Sequence, residues 1–266
     1  MKKLGIVITD GVGFRNFILS DFLTDAERTF DEVVILSCLP VTVYLGFLNK
    51  SKVIELDVFE EKFKTWLFRK AKEVAHLKLH QKNNFGIQDS LKTNTSTSKS
   101  NRGYATRFIF KLTSVLHSEK WIQRFNFWQQ LSFKNDLKTV GYRNILEKEN
   151  FDLLFFTHQR PPFIAPLVYQ AEKLKIKTAS FIFSWDILAS KGRMAANFNY
   201  YLVWSDLMKS ELQQFYSSVK PEDIKVVGTP QFEPYVLDQY RVSREEFISK
   251  FQLNANYKTI CFSCGD

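Results

Sequence analysis

Short apolar runs recur along this chain, each closed by a polar or glycine-bearing turn and most followed by residues with three- and four-position apolar spacing. Residues 4–9 (LGIVIT) form the first run. Asp10, Gly11 and Gly13 break it, after which Phe14, Phe17, Ile18 and Phe22 mark one apolar helical stripe. EVVILS (32–37) and VIEL (53–56) read as second and third strands, with Pro40 and Gly46 in the turn between them. FDLLFFTHQ (151–159) is apolar at successive positions, as a central parallel strand covered on both faces requires. KTASFIFS (177–184), YYLVWS (200–205) and IKVVGT (224–229) continue the series. Helices are predicted at 163–174 and at 206–215, the second capped by Ser205 or Asp206. Strands alternating with helices predict an α/β fold: a doubly wound parallel sheet with right-handed crossovers and helices on both faces.

The middle of the chain departs from this rhythm. A basic helix is predicted over 58–79, and 81–103 is so rich in Ser, Thr, Asn and Lys that it offers little apolar area against the entropy cost of ordering. A mobile excursion is expected there. From 104 to 133, Phe108, Phe110, Trp121, Phe125, Phe127 and Trp128 stand among basic residues with helical spacing. They suit either a helical pair packing its aromatics onto the sheet, or a basic aromatic surface that meets an anionic membrane or a lipid-linked substrate.

Charge sharpens that division. The formal net charge is +9, yet 58–144 alone holds 17 Lys and Arg against 6 Asp and Glu, so the basicity belongs to the middle segment. At 266 residues with 45% hydrophobic and 15% aromatic content, disorder as the main state is excluded. The apolar stretch before Asp10 is too short for a signal-peptide core, and the expected location is cytoplasmic, with peripheral contact at the inner membrane face through 58–144 as an added possibility. Cys38, Cys261 and Cys264 suggest no disulfide framework. Cys261 and Cys264 have C-x-x-C spacing, but on a strand such residues face opposite ways and nothing nearby completes a metal site, so no metal is expected.

In parallel sheets ligands sit beyond the carboxyl ends of the strands, which selects candidate residues. Asp10, Gly11 and Gly13 follow the first strand at a helix N-terminus, where free amides favour an anion or a sugar hydroxyl; tight-turn geometry explains the glycines equally. GVGFRN has Asn16 where the dinucleotide fingerprint needs its third glycine, so an NAD-dependent oxidoreductase is a weaker alternative. His158 ends the central strand and suits either a general base or a hydrogen bond to a neighbouring loop. Trp185 and Asp186 follow the next strand; Asp186 either orients an acceptor hydroxyl or pairs with Lys191 or Arg193. Gly228, Thr229 and Pro230 turn the chain after the last strand. The sequence lacks a serine nucleophile elbow, HExxH, a Walker loop and an EF-hand, which disfavours hydrolases and P-loop enzymes, and no nucleic-acid-binding module accompanies the basic segment.

FSWDILASKGR, then YYLVWSDLMKSEL, then VVGTPQFEPY resemble the N-terminal half of GT-B glycosyltransferases, the architecture of two Rossmann-like domains, and among them bacterial enzymes of surface-polysaccharide synthesis. Trp185, Asp186, Leu188, Lys191 and Gly192 match the family's W-D-x-L-x-x-K-G loop; Val203, Trp204 and Ser205 match the next strand, and Gly228 to Phe232 the strand leading to the interdomain linker. Ile187 stands where Asn is commoner. The resemblance implies an acceptor-binding domain over 1–235, with 236–266 as linker and TICFSCGD as the first strand of a truncated nucleotide-sugar domain. It implies sugar transfer to a surface polysaccharide or lipid-linked acceptor, with the nucleotide sugar as substrate, no cofactor, and the donor site on missing sequence or a partner chain. Asp10 and His158 are then the candidate bases, and Arg15 a residue to hold an anionic acceptor. Gly11, Gly13, Trp185, Asp186, Lys191 and Thr229 would line the acceptor site. The alternative is a non-catalytic scaffold recruiting a separate donor-binding chain to the membrane.

Overall fold

Two central strands, β1 and β4, stop where their apolar runs meet a threonine, Thr9 and Thr157. The computed structural model describes residues 2–48 and 50–262. In chain order the elements are β1 (Lys3–Ile8), α1 (Gly11–Ile18), α2 (Phe22–Thr29), β2 (Glu32–Ser37), β3 (Lys52–Glu55), α3 (Phe63–His80), α4 (Phe85–Thr93), α5 (Asn101–Thr113), α6 (Glu119–Phe133) and α7 (Leu137–Glu149). There follow β4 (Leu153–Phe156), α8 (Ala165–Lys173), β5 (Lys177–Phe181), α9 (Ile187–Ser190), β6 (Tyr200–Val203), α10 (Asp206–Phe215), β7 (Ile224–Val226) and α11 (Arg244–Lys250).

The seven strands form one sheet in the order β3-β2-β1-β4-β5-β6-β7, and every neighbouring pair is parallel. The chain winds outward from β1 to β3, returns through five helices and winds the other way from β4. The strand order therefore reverses between β1 and β4, where Ile6 lies opposite Phe155. Alternate residues of β1 feed two cores. Leu4, Ile6 and Ile8 join Phe17, Ile18 and Leu23 of α1 and α2 on one face. Val7 joins Leu146 of α7, Leu167 of α8 and Leu212 of α10 on the other. Each such buried Leu, Ile or Phe contributes about 1.5–3 kcal/mol, which fixes which face each helix covers.

The middle segment consists of five helices, α3 to α7, joined by short irregular stretches. Its first helix begins at Phe63 rather than at 58, because 58–62 has no regular structure, Phe59 being buried and donating its N–H to Tyr142 Oη. Within 81–103, expected as a mobile excursion, 85–93 form α4 and 101–103 open α5. Asn84 caps α4 through Ile87 N, and the fully buried Ile87 with the partly buried Leu91 anchors it to the main core, so two apolar side chains and a cap suffice where the composition suggested nothing would. The aromatics of 104–133 do form a helical pair, but it packs mainly on α3 and not on the sheet: Ile109, Ile122 and Phe125 share a separate core with Val74 and Ala75.

The last predicted strand, 224–229, ends at Val226 because Gly228 takes a left-handed φ of 74° and turns the chain. The following turn comes back across the sheet: Glu233 accepts from Asp21 N, and Phe232 meets Trp204 edge-on. Ser243 and Glu246 close a capping box on α11. Residues 259–262 are exposed and join no strand among the described residues. The rest of the predicted strand, 263–266 with Cys264, lies outside the described residues. Among the described residues no helix is long and apolar enough to cross a membrane.

Candidate functional site

Three consecutive strands of the sheet, β1, β4 and β5, deliver polar residues to one rim. At β1, Asp10 has extended backbone and serves as N-cap of α1. Its Oδ1 accepts from Val12 N at 3.0 Å and Gly13 N at 2.8 Å, and its Oδ2 accepts from Thr9 Oγ1 at 2.9 Å. The amides expected to be free for an anion are thus held by the chain's own carboxylate. Of the roughly four lone-pair positions of a carboxylate, one on Oδ2 is left for another partner.

Gly13 is where α1 meets β4. A Cβ there would lie 2.6 Å from Thr157 Oγ1, which itself donates to Val7 O, so the helix start is drawn against the switch point only because no side chain intervenes. Gly11, by contrast, faces open space. Arg15 is exposed and its Nε donates to Asn16 Oδ1, which is buried.

His158 follows Thr157 at the end of β4. Its ring stacks on Phe183 at 4.1 Å between centroids and 11° between planes. Burial pushes its pKa down to about 4, against the opposing pull of the nearby Asp10 carboxylate, so the ring is neutral at physiological pH. Nδ1 lies 3.1 Å from Arg160 N and accepts its hydrogen. A neutral imidazole that accepts at Nδ1 carries its proton on Nε2, so in this arrangement the side chain offers a donor rather than a base. Of the two readings drawn from the sequence, the hydrogen bond to a loop is the one present, while the accepting Nδ1 sets the ring as a donor in place of the general base expected.

The β5 end carries Ser184, Trp185 and Asp186. Trp185 is 68% exposed, an unusual position for an indole. Asp186 Oδ1 accepts from Ser184 Oγ at 2.6 Å. The expected pairing of Asp186 with Arg193 is corrected, because Arg193 points inward to Glu119, 2.7 Å away. Lys191 is exposed at the end of α9, and Thr229 lies beyond β7, capping the next turn through Gln231 N. The carboxyl ends of β1, β4 and β5 thus carry Asp10, Gly11, Gly13, His158, Trp185 and Asp186, with Arg15 on α1 and Lys191 after α9, while Thr229 lies two strands away beyond β7.

Several contributors escaped the sequence reading. Gln159 is fully buried; its Oε1 accepts from Phe183 N and its backbone carbonyl accepts from Ala195 N, tying the β4, β5 and post-α9 loops together. The run T-H-Q directly after LLFF was the available signal. Cys38, at the end of β2, is half-buried, its thiol pushed up to about 12 by burial and by Asp10. Beneath the rim, Lys72 Nζ donates to Asn126 Oδ1 and Ala195 O, Arg193 lies over the Tyr216 ring at 4.3 Å, and Met194 N donates to Tyr216 Oη. The basic helices thereby hold the loop after α9 in place. Among the described residues no group of three His, Cys, Asp or Glu side chains is placed to hold a metal ion.

No protein-family model matches the sequence, and no curated protein does. Solved structures similar to it include two UDP-GlcNAc 2-epimerases. One is UDP-GlcNAc 2-epimerase from Methanocaldococcus jannaschii, with 11% identity, 85% of this chain and 45% of that chain covered, and a TM-score of 0.39. The other is UDP-GlcNAc 2-epimerase from Neisseria meningitidis bound to UDP-GlcNAc, with 8% identity, 85% and 46% covered, and a TM-score of 0.36. The chain spans less than half the length of either.

Proposed function

We propose that this chain forms the acceptor-binding half of an enzyme that transfers a sugar from a nucleotide sugar to a glycan or lipid-linked hydroxyl, the donor being held by a further domain or a partner chain. The observation that supports it is the rim at the β1/β4 switch point, which combines a carboxylate, a neutral imidazole donor and an exposed indole. Trp185 offers a flat apolar face to a sugar ring. His158 donates from Nε2 to the acceptor oxygen, and Asp10 takes the acceptor proton on its remaining Oδ2 lone pair. The acceptor O–H bond breaks as its oxygen bonds the anomeric carbon, and the nucleoside diphosphate departs with the electron pair of the old bond. Gly11 leaves the approach open, while Asp186, Arg15, Lys191 and Thr229 bind the acceptor's periphery.

His158→Phe preserves a ring stacked on Phe183 and removes the donor, so it should lower kcat/KM for sugar transfer about tenfold, the value of one hydrogen bond of ~1.4 kcal/mol made to the reacting group. Asp10→Asn keeps the cap and removes the base. The measurement uses this chain together with its donor-binding domain, and wild-type rates in both variants would reject the assignment. The oxidoreductase reading is weakened because Asp10 puts a negative charge on the amides that a dinucleotide phosphate would need.

A second reading, a membrane-recruiting scaffold, draws on α5. Its solvent side presents Tyr104 and Phe108 beside Arg107 and Lys111 on one stripe. If that stripe meets lipid, the protein floats with phosphatidylserine-containing vesicles and Phe108→Glu stays at the bottom of the gradient. Failure of the wild type to float removes this reading.

A further inference from the structure

Past β5 the chain leaves the sheet. Ile182 N still bonds β6, at Leu202 O, and the next amide, Phe183 N, is taken by a side chain instead: Gln159 Oε1 accepts it at 3.1 Å. Gln159 is fully buried and its backbone carbonyl accepts from Ala195 N, so the carboxamide has little freedom and the Phe183 backbone is fixed with it.

The Phe183 ring lies flat against His158, with centroids 4.1 Å apart and planes 11° apart. A ring so placed keeps water from one face of the imidazole. It also hinders the imidazole from turning over about Cβ–Cγ, a turn that would replace Nδ1 by a carbon at Arg160 N. Either change would end the donor described above. A turned ring carries Nε2 to another place, and a protonated ring sets an Nδ1 hydrogen against the Arg160 N–H, two donors face to face. Of the groups acting on the ring's charge, burial is the largest and keeps it neutral; Asp10 and, more weakly, Gln159 favour the charged form, and Arg160 opposes it. The Phe183 face is part of that burial.

We infer that Phe183 is a positioning residue of the rim, whose stacked ring keeps His158 in the one orientation and tautomer that leave the Nε2 hydrogen for the acceptor oxygen. The inference rests on the donor role proposed for His158, but the state of the imidazole can be read without any sugar transfer.

Nitrogen-15 correlation spectra of the His158 ring in the 266-residue chain, recorded between about pH 5 and pH 8, give the first readout. The wild-type ring should stay in the Nε2–H tautomer across the range, its midpoint lying near 4. Phe183→Leu stays apolar but uncovers one face, so it should raise the midpoint by about one unit or more and mix the tautomers, while Phe183→Tyr keeps the stack and should match the wild type. Sugar transfer by this chain with its donor-binding domain gives the second readout. Phe183→Leu should lower kcat about tenfold with little change in KM, and combining it with His158→Phe should cost nothing further, because both act through one donor. Two results overturn the inference: a His158 ring in Phe183→Leu with the wild-type tautomer and midpoint, or losses in Phe183→Leu and His158→Phe that simply add. Spectra that change as expected while neither variant slows transfer would uphold the positioning of the ring and reject the donor role proposed for it.

Discussion

Replacing Lys72 by Met should make the protein more stable at pH 6, and that advantage should shrink by about 2 kcal/mol between pH 7 and pH 9. Lys72 lies on α3 at 2% exposure, with burial as the main cause pushing its pKa from 10.5 down to about 7. Between those two values the unfolded chain binds a proton that the folded chain does not, so wild-type stability rises with pH across the window. The slope approaches ~1.4 kcal/mol per pH unit once the folded group is neutral, and below pH 7 the charged group must either be buried or shed its proton. Its bonds to Asn126 Oδ1 and Ala195 O offset part of that cost. Other groups bound the useful range. His76, His80 and His158 are all shifted down, so their stabilisation is lost as pH falls below about 6.5. The Cys38 thiol, shifted up from 9.0, erodes stability above pH 9, and the buried tyrosines Tyr44 and Tyr201 do so above 10. Urea unfolding of both proteins at pH 6, 7, 8 and 9 isolates the lysine by difference. Parallel curves would show that Lys72 is neither buried nor shifted in solution.

The sheet was legible because a strand covered on both faces must be apolar at successive positions. Residues 32–37 were read with the same limits that β2 has, and 206–215 with those of α10, since Ser205 does cap that helix through Met208 N. The rule that ligands gather at carboxyl ends also placed Asp10, His158 and Asp186 after neighbouring strands. What each can do was not legible. Nothing in T-H-Q-R states that Arg160 N bonds back to Nδ1 and fixes the tautomer, and nothing in DGVG states that Asp10 already fills the amides behind it. The basic segment misled for a related reason: a lysine in a charged helix reads as solvated. Only the spacing of Lys72, His76 and His80 on one stripe beside Ala71, Val74 and Ala75 hinted that polar groups were turned inward. The polar stretch at 85–93 folds because Ile87 finds a place prepared by residues far away in sequence, which composition does not report.

Glu119→Ala should cost about 3 kcal/mol, and a second substitution should restore most of it. Arg193 is 4% exposed; its guanidinium makes two bonds to Glu119, at 2.7 and 3.1 Å, and otherwise meets the Tyr216 ring. Removing the carboxylate leaves a buried positive charge beside Lys72 and His76, a change that ordinarily costs about 3–5 kcal/mol. The low end applies because the Glu119 side chain is 28% exposed and water can partly replace it. Replacing both partners is different in kind: Glu119→Ala with Arg193→Met removes the charge that lacked a partner, and a packed apolar side chain over Tyr216 should return stability to within about 1 kcal/mol of wild type. The consequence reaches the rim, since Arg193 and its neighbours hold the chain that runs on from Trp185 and Asp186. Glu119→Ala should therefore speed amide hydrogen exchange across 183–195 as well as lower the urea midpoint, and the double variant should reverse both. If the single variant loses stability with exchange in 183–195 unchanged, the ion pair supports the helices alone and the rim loop is held by Gln159 and Lys72 without it.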